Sequence, residues 1–215
     1  MDKRLVVVGT GMLAEQVQYY FGDLGGHAID AFVLDPEYIR EDSFLGRPVL
    51  SFDEARRRFA PATHELFIAI GLAATAARKR WYHAARAAGY ELPSYVHPSA
   101  VVAHNVAVQP GTLIQELAAV SPFATLGANL ILCVQSVVSH HTRVGDHCFF
   151  APAACVAGAS DIGERCFLGI GAIVRDRVRL GDGCVIGAGA VVMKDCPADS
   201  LVHGPRSQPR QELES

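Results

Sequence analysis

Three histidines close together in the chain, His140, His141 and His147, are the residues with the clearest chemical potential. Imidazole is the first side chain to consider as a general base near neutral pH. A lone surface histidine is usually only solvated, and that interpretation stays open for most of the nine in this chain. His140 is set apart by its place in a repeat, where it is predicted to project outward near a corner that a second copy could meet.

That repeat runs with a period of six from Val96 to Val192. At 17 successive positions the residue is aliphatic or, once, phenylalanine, and the fifth residue of each hexad is small at all but one position. Such a hexad makes one flat side of a coil, and three hexads close a triangular coil of about 18 residues. The sequence therefore predicts a parallel β-helix over residues 95–197, whose coils stack into a prism.

The same geometry puts Gly158 one coil above His140, in the same column of the prism. A glycine lets another group approach its backbone closely, and its N–H could stabilise the oxyanion that forms when a carbonyl is attacked. A histidine beside such a donor is typical of a general base at a site where a carbonyl carbon is attacked.

The first 94 residues do not follow the six-residue repeat. Strands and helices alternate, which predicts a small parallel α/β domain over 1–94, while the polar residues 198–215 are expected to be a loose tail. The predicted strands are Arg4–Val8, His27–Val33 and Glu65–Ile70, and the predicted helices are Met12 to about Phe21, one that opens at Ser51, and about Ala73 to Ala88.

A weakened dinucleotide fingerprint, Gly9-x-Gly11-x-x-Ala14, follows the first predicted strand and opens the first predicted helix. Backbone N–H groups at such a turn can bind phosphate. A tight strand-to-helix turn with no ligand is the alternative. About 95 residues make only half of a full dinucleotide fold, so a mononucleotide group fits the domain better than NAD.

Composition excludes several classes of function. The formal charge of −3 gives no basic surplus for a nucleic acid partner. No apolar run approaches the ~20 residues of a membrane span, and the apolar start of the chain ends in a glycine turn, so the protein is expected to be cytoplasmic. Four of the six cysteines occupy the small inward position of the hexad, where a thiol acts as a small hydrophobe: Cys148, Cys166, Cys184 and Cys196.

The chain resembles the bacterial sugar acyltransferases that include the sialic acid O-acetyltransferases and the UDP-4-amino-sugar N-acetyltransferases. The strings VVVGTG, FIAIG, YVHPSAVV and VVSHHTRVGDHCF carry the resemblance, which covers Leu5 to about Pro205. It implies a Rossmann-like domain followed by a left-handed β-helix, and a homotrimer with active sites between neighbouring prisms. It also implies acetyl-CoA as donor, a nucleotide-linked sugar as acceptor, no metal, and a role in surface glycan (O-antigen) biosynthesis.

The resemblance also assigns roles to particular residues. His140 matches the catalytic histidine, and His141 stands where some relatives carry a glutamate that orients it. Phe149 stands where some relatives have a second histidine near the thioester. Ile170 and Ala188 match positions that line the acetyl-CoA site. Gly158 is added to this set because its N–H could stabilise the oxyanion. The matches to the loops that bind the nucleotide are Gly9, Gly11, Asp35 and Gly71.

Several alternatives stay open. The acceptor atom is predicted to be the C4 amine of an amino-deoxy sugar, but O-acetylation fits the same residues. A zinc enzyme of the γ-carbonic anhydrase type would use His104 and His140, although Gly145 stands where its third ligand is expected. A non-catalytic trimer that binds nucleotide sugars is a further alternative. An arginine-rich segment either binds the phosphates of coenzyme A or is ordinary solvated surface, namely Arg175, Arg177, Arg179, Arg206 and Arg210.

Overall fold

The computed structural model describes residues 4–71 and 74–204, and its N-terminal part is a small α/β domain. A five-stranded sheet has the order β3-β4-β2-β1-β5, and all its pairings are parallel except β3 with β4. The elements are β1 (Arg4–Val8), α1 (Met12–Val17), a π-helix (Gln18–Leu24), β2 (Ile29–Val33), a 3-10 turn (Pro36–Tyr38), β3 (Ser43–Phe44), β4 (Arg47–Leu50), α2 (Phe52–Arg58), β5 (His64–Ile68) and α3 (Thr75–Ala87).

This domain confirms the predicted alternation of strands and helices, with two differences. The first predicted helix is α-helical only to Val17 and then widens into a π-helix, in which the N–H of Gly25 donates to the carbonyl of Tyr20. The wider turn buries the neighbouring side chains of Tyr20 and Phe21 together. The β3–β4 hairpin was not predicted, because Gly46 and Pro48 interrupt the apolar run that β4 contributes to the sheet.

The rest of the described chain is a parallel β-helix of three sheets, with partners one coil apart at a spacing of 18 residues, as in Ile131 with Phe149. We call the seven-stranded sheet the covered face, the six-stranded sheet the apolar face and the four-stranded sheet the charged face. The covered face contains β6 (Tyr95–Val96), β8 (Leu113–Ile114), β11 (Ile131–Leu132), β14 (Phe149–Phe150), β17 (Phe167–Leu168), β20 (Val185–Ile186) and β22 (Leu201–Val202). The apolar face contains β7 (Val101–Val102), β9 (Ala119–Val120), β12 (Val137–Val138), β15 (Cys155–Val156), β18 (Ile173–Val174) and β21 (Val191–Val192), and the charged face contains β10 (Thr125–Leu126), β13 (Arg143–Val144), β16 (Asp161–Ile162) and β19 (Arg179–Leu180).

The interior of the prism follows the six-residue pattern. The second residue of each strand points inward, and the small residue of each hexad packs beside it in one continuous core. Cys148, Cys166 and Cys184 are wholly buried there, as predicted for small inward residues. At the corners one residue in six has a positive φ, and many of these are not glycine, His141 (φ 58°) among them.

The last coil is shorter than the others. Strand β22 pairs with β20 at Val185 and Leu201, a spacing of 201 − 185 = 16 residues. It lies within the segment 198–215 that the sequence assigns to a tail. The remainder of that segment, from residue 205 onward, including Arg206 and Arg210, lies outside the described residues.

The α/β domain packs on the covered face of the prism. One apolar cluster joins Val7, Phe21 and Phe67 of the domain to Leu113 and Ile131 of the covered face. The domain and the prism therefore meet along a continuous hydrophobic seam rather than through a linker alone. No helix among the described residues is long and apolar enough to cross a bilayer.

Candidate functional site

A groove of about 560 Å³ runs between the α/β domain and the prism. One wall comes from the turns after β1 and β5, and the other comes from the covered face and the corner that follows it. From the predicted nucleotide-binding set the groove contains Gly11 and Gly71, and from the predicted acetyl-CoA set it contains Phe149, Ile170 and Ala188. Residues from both predicted sets thus share one cavity.

The topology of the small sheet explains the position of that groove. The strands β2 and β5 lie on opposite sides of β1, so the chain changes direction at the carboxyl ends of β1 and β5. Ligands of open parallel sheets bind in the crevice at such a switch point. Gly11 begins α1 and has open space where a Cβ would be, which leaves its backbone accessible from the groove.

Gly9 is buried and lies behind the groove rather than in it. Its φ is +114°, and a Cβ there would lie 2.7 Å from the carbonyl oxygen of Ala69. This glycine is therefore required for the close approach of the turns after β1 and β5. Its contact supports a structural role for the first glycine of the fingerprint.

Asp35 lies in a neighbouring cleft of about 580 Å³, together with Tyr38 and Trp81. Its carboxylate accepts hydrogen bonds from both terminal nitrogens of Arg80, with Nη1 at 3.0 Å from Oδ1. The guanidinium of Arg80 also lies 5.2 Å from the centre of the Trp81 ring. Sequence reasoning missed Arg80 and Trp81, and the only signal was the run of three basic residues that precedes the tryptophan.

His140 and His141 lie at the corner between the apolar face and the charged face, and both are exposed. Their Nδ1 atoms are 3.2 Å apart, so one ring nitrogen can donate to the other. The ring of Phe123, one coil below, packs on His141 with 4.9 Å between ring centres. His141 therefore lies between the ring of Phe123 and the ring of His140, where it can orient His140.

Gly158 lies directly beside the ring of His140. A Cβ on Gly158 would be 2.5 Å from Cε1 and 2.7 Å from Nε2 of His140, so a side chain at this position would displace the imidazole. The carbonyl of Gly158 accepts from the N–H of Arg177, whereas its own N–H has no acceptor within residues 4–71 and 74–204. This geometry leaves a backbone donor next to the candidate base.

His140 is not in the groove of its own chain. Ile170 and Ala188 lie at the corner between the covered and apolar faces, whereas His140 lies at the next corner, across the apolar face. Each chain thus carries the two halves of the predicted site on opposite edges of one face. Within one chain, therefore, His140 does not line the groove.

The aromatic wall of the groove consists of Phe149 and Phe167, whose rings stack with centres 5.5 Å apart. Cys133 lines the groove beside them, and burial raises the pKa of its thiol to about 12. Burial also raises the pKa of Cys155. Neither cysteine is therefore set up as a thiolate nucleophile at neutral pH.

The described residues contain no cluster of three or more side chains that could hold a metal ion. In the arginine-rich segment, Arg175 and Arg179 are exposed and lie 3.8 Å from Asp176 and Asp161 respectively. Arg177 is also exposed, beside the corner that carries His140.

One family model and several solved structures resemble this chain. The family model described as the bacterial transferase hexapeptide (six repeats) matches residues 159–194. The acetyltransferase domain of PglB from Neisseria gonorrhoeae is 26% identical, with a TM-score of 0.84 over 97% of this chain and 100% of that chain. WeeI from Acinetobacter baumannii, at 23% identity and a TM-score of 0.79, covers 94% of this chain and 97% of its own and supports the fold alone. A search of curated protein sequences finds no match.

A further solved structure is more similar in sequence. Perosamine N-acetyltransferase from Caulobacter crescentus is 32% identical over 95% of each chain, with a TM-score of 0.84. That enzyme was crystallised with CoA and GDP-perosamine, as were variants in which one of its histidines is replaced by asparagine or alanine. The PglB domain was also crystallised with acetyl coenzyme A.

Proposed function

The chain belongs to the bacterial sugar acyltransferases of the left-handed β-helix type, and we propose that it acetylates the C4 amine of a nucleotide-linked amino-deoxy sugar. Acetyl-CoA is the acyl donor in this proposal, and no metal takes part. The product would serve bacterial surface glycan (O-antigen) biosynthesis.

The observation that carries the proposal is the shared groove. Its glycine turns, at Gly11 and Gly71, present backbone suited to the phosphates of a nucleotide sugar. Its opposite wall is apolar, with Phe149, Ile170 and Ala188 suited to the thioester arm of acetyl-CoA. A sugar amine held between these walls would lie beside the acetyl group, and two similar enzymes bind coenzyme A or acetyl coenzyme A.

The proposed active form is a homotrimer, and the three faces of the prism support it. The α/β domain packs on the covered face, and the charged face has Arg143, Asp161 and Arg179 in its outward row. On the apolar face the outward row is instead apolar and partly exposed, with Val101 at 68% and Val191 at 55% exposure. An uncovered apolar sheet of this kind is suited to packing against copies of itself.

Three-fold packing would also complete the site. If three prisms turn their apolar faces toward a common axis, the corner before that face in one copy meets the corner after it in the next. Ile170 and Ala188 of one chain then lie beside His140 of the partner subunit. In this arrangement the groove of each subunit receives the histidine of its neighbour, which also accounts for the absence of His140 from the groove of its own chain.

The proposed reaction is a direct transfer. The acceptor nitrogen forms a bond to the thioester carbonyl carbon while its proton passes to Nε2 of His140. The N–H of Gly158 stabilises the oxyanion of the tetrahedral intermediate. The C–S bond then breaks, and the leaving sulfur takes the proton from His140 to give free coenzyme A. His141, through its Nδ1, holds His140 with Nε2 available.

The test is a panel of nucleotide sugars with acetyl-CoA. The purified chain is incubated with UDP-, dTDP- and GDP-linked 4-amino-6-deoxy sugars, and the product is analysed by mass spectrometry for one added acetyl group. The matched 4-hydroxy sugars are included, because acetylation of these alone would show the O-acetyltransferase alternative. If none of the sugars is acetylated, the proposal is rejected, whether or not the protein binds acetyl-CoA.

A mixing experiment tests the sharing of the site between subunits. His140→Ala keeps an intact groove, and Ala188→Trp keeps an intact histidine while filling the groove. Each variant alone is expected to be inactive. Equal mixing after dissociation and reassembly should restore about a quarter of the normal activity, since one neighbouring pair in four then combines an intact groove with an intact histidine. No recovery in correctly reassembled trimers would contradict the shared site.

A further inference from the structure

The guanidinium of Arg78 on α3 is wholly buried between the α/β domain and the prism. Its Nη1 donates to the carbonyl oxygens of Ile68 at 3.1 Å and Ile70 at 2.9 Å. Its Nη2 donates to both the carbonyl and the side-chain oxygen of Asn129, each at 2.7 Å. One side chain therefore joins the end of β5 to a corner of the prism.

A charge in this position is costly. No carboxylate is among the hydrogen-bond partners of Arg78 in the described parts of the chain, and its Nε has no partner there. Burial lowers the pKa of Arg78 to about 10, which still leaves the group charged at neutral pH. Apolar residues could fill such a seam at lower cost, so a gain in geometric precision is a better reason for the arginine than stability alone.

The contact is reciprocal on the prism side. The Nδ2 of Asn129 donates to the carbonyl oxygen of Arg78 at 3.3 Å and lies 3.0 Å from Nδ1 of His147, one coil above. Asn129 has a φ of 56°, a conformation that asparagine adopts more readily than most residues. Arg78, Asn129 and His147, which we call the clamp, thus form a continuous hydrogen-bonded unit across the seam.

At both ends of the clamp the hydrogen-bonded residues are close in sequence to residues that line the groove. Ile68 and Ile70 flank Ala69, which lines the groove and is followed by Gly71 in the same wall. On the other side, His147 precedes the groove residue Phe149 by two positions. The hydrogen bonds of the clamp therefore connect segments next to the wall with the glycine turns and next to the wall with the aromatic pair.

We propose that Arg78 is a positioning residue for acetyl transfer, which fixes the spacing of the two groove walls and so the approach of the sugar amine to the thioester. The inference rests on the function proposed above. Each substrate contacts mainly one wall, so a change in spacing should leave the binding of each nearly intact. The rate of transfer should fall sharply, because a misplacement of about 1 Å can lower a rate about 10²-fold.

The test is Arg78→Lys, which keeps the charge but loses the forked donors, compared with Lys79→Met. Lys79 lies next to Arg78 on α3 and crosses the same seam, where its Nζ donates to both carboxylate oxygens of Glu164 at 2.6 and 2.8 Å. For Arg78→Lys, kcat should fall at least tenfold while KM for each substrate changes less than threefold. For Lys79→Met, kcat should stay within twofold of the unmodified enzyme, even if the melting temperature falls.

A merely structural role predicts a different result. Arg78→Lys would then lower the melting temperature but keep kcat per folded trimer within twofold, which would overturn the proposal. If Arg78→Lys does not fold, Asn129→Gly tests the same clamp from the other side, because glycine accepts the positive φ and removes only the side-chain contacts. For this variant too, kcat should fall at least tenfold while KM for each substrate changes less than threefold.

Hydrogen exchange separates this inference from the proposed function. If the unmodified enzyme transfers acetyl to none of the sugars, the function fails, but the clamp is still measurable. Arg78→Lys should then raise the amide exchange rate over residues 68–71 at least tenfold, and Lys79→Met should leave it within twofold. Equal exchange in both variants would show that Arg78 does not fix this wall.

Discussion

The imidazole of His140 lies against the backbone of Gly158, so that a methyl group on Gly158 would be 2.7 Å from Nε2. The two residues are one coil apart and occupy the same column at the same corner. A candidate base thus lies beside a backbone N–H that has no acceptor among the described residues. The predictions below follow from this pair and from the faces that surround it.

Gly158→Ala should leave the fold intact and remove most of the activity. The added methyl group meets the movable ring of His140 rather than backbone, so the free energy of unfolding should change by less than about 1 kcal/mol. The displaced imidazole should lower kcat about 10²-fold. Steady-state kinetics and thermal unfolding measure both quantities. In a His140→Ala background the same change should add almost nothing, and a full additional loss there would show that the methyl group acts elsewhere.

His140→Ala should lower kcat by about 10²–10⁴-fold, the usual contribution of general base catalysis. His104→Ala is the matched control, because His104 is an exposed histidine in the same corner column, two coils below. Its activity should remain within twofold of the unmodified enzyme. Near-normal turnover of folded His140→Ala trimers would remove His140 from the mechanism.

His141→Gly tests the partner of the base. Glycine keeps the left-handed corner, since His141 has a φ of 58°, and the change removes the Nδ1–Nδ1 contact with His140. The loss of one orienting hydrogen bond should lower kcat by about tenfold, equivalent to about 1.4 kcal/mol. Phe123→Ala, which removes only the ring that packs on His141, should have a smaller effect. An unchanged kcat in His141→Gly would mean that something other than His141 orients the base.

A charge on the apolar face should break the trimer. Ile173 lies in the outward row of that face and is 44% exposed, so Ile173→Asp would bury a carboxylate in the proposed interface. Sedimentation should show monomers, and transfer should fall at least tenfold, although each chain keeps its groove and its histidine. Thr125→Asp places the same charge on the charged face and should leave both the assembly and the rate unchanged. If the Ile173→Asp variant is still a trimer, the interface must lie on another face.

Stability should depend on pH through His147. Burial lowers the pKa of His147 to about 4 in the native protein, whereas the unfolded chain has the ordinary value near 6.5. Between these values the unfolded chain binds a proton that the native protein does not. The stabilisation is therefore complete above about pH 6.5 and is lost as the pH falls toward 4, by about 2 kcal/mol at pH 5 and about 3 kcal/mol at pH 4.

The measurement is urea unfolding at pH 7, 6 and 5 for the unmodified protein and for His147→Gln. Glutamine can still accept from Asn129 but does not titrate, so the decrease between pH 7 and 5 should be clearly smaller in the variant. Parallel curves for the two proteins would show that other groups cause the acid sensitivity.

The prism was predictable from sequence because the residue types within each hexad indicate which side chains face inward. The second residue of every strand must fill the interior, and the small residue must let the chain turn, so a period of six determines which side chain faces which way. This reasoning also predicted that Gly158 lies beside His140, since residues 18 apart share a column. The structure adds the direct contact and the Nδ1–Nδ1 distance to His141, neither of which spacing alone can give.

The remaining parts of the site depend on contacts between distant segments. The groove was not predictable as a single cavity, because it forms only where the turns after β1 and β5 meet the covered face. Likewise, nothing in the local sequence distinguishes the buried Arg78 from its exposed neighbour Arg80. The first becomes part of the clamp because α3 packs on the prism, and the second pairs with Asp35 because the end of β2 lies beside it.

The spacing of 18 residues, which holds in every coil before the last, also limits how such a chain can change over evolution. An insertion that is not a multiple of six residues would turn inward side chains outward and expose the core, and an insertion of six or twelve residues would move every later side chain to a different face. Only whole coils can be gained or lost, or loops can bulge outward at a corner. New substrates are therefore expected to arise by substitution at the corners rather than by insertion within a coil.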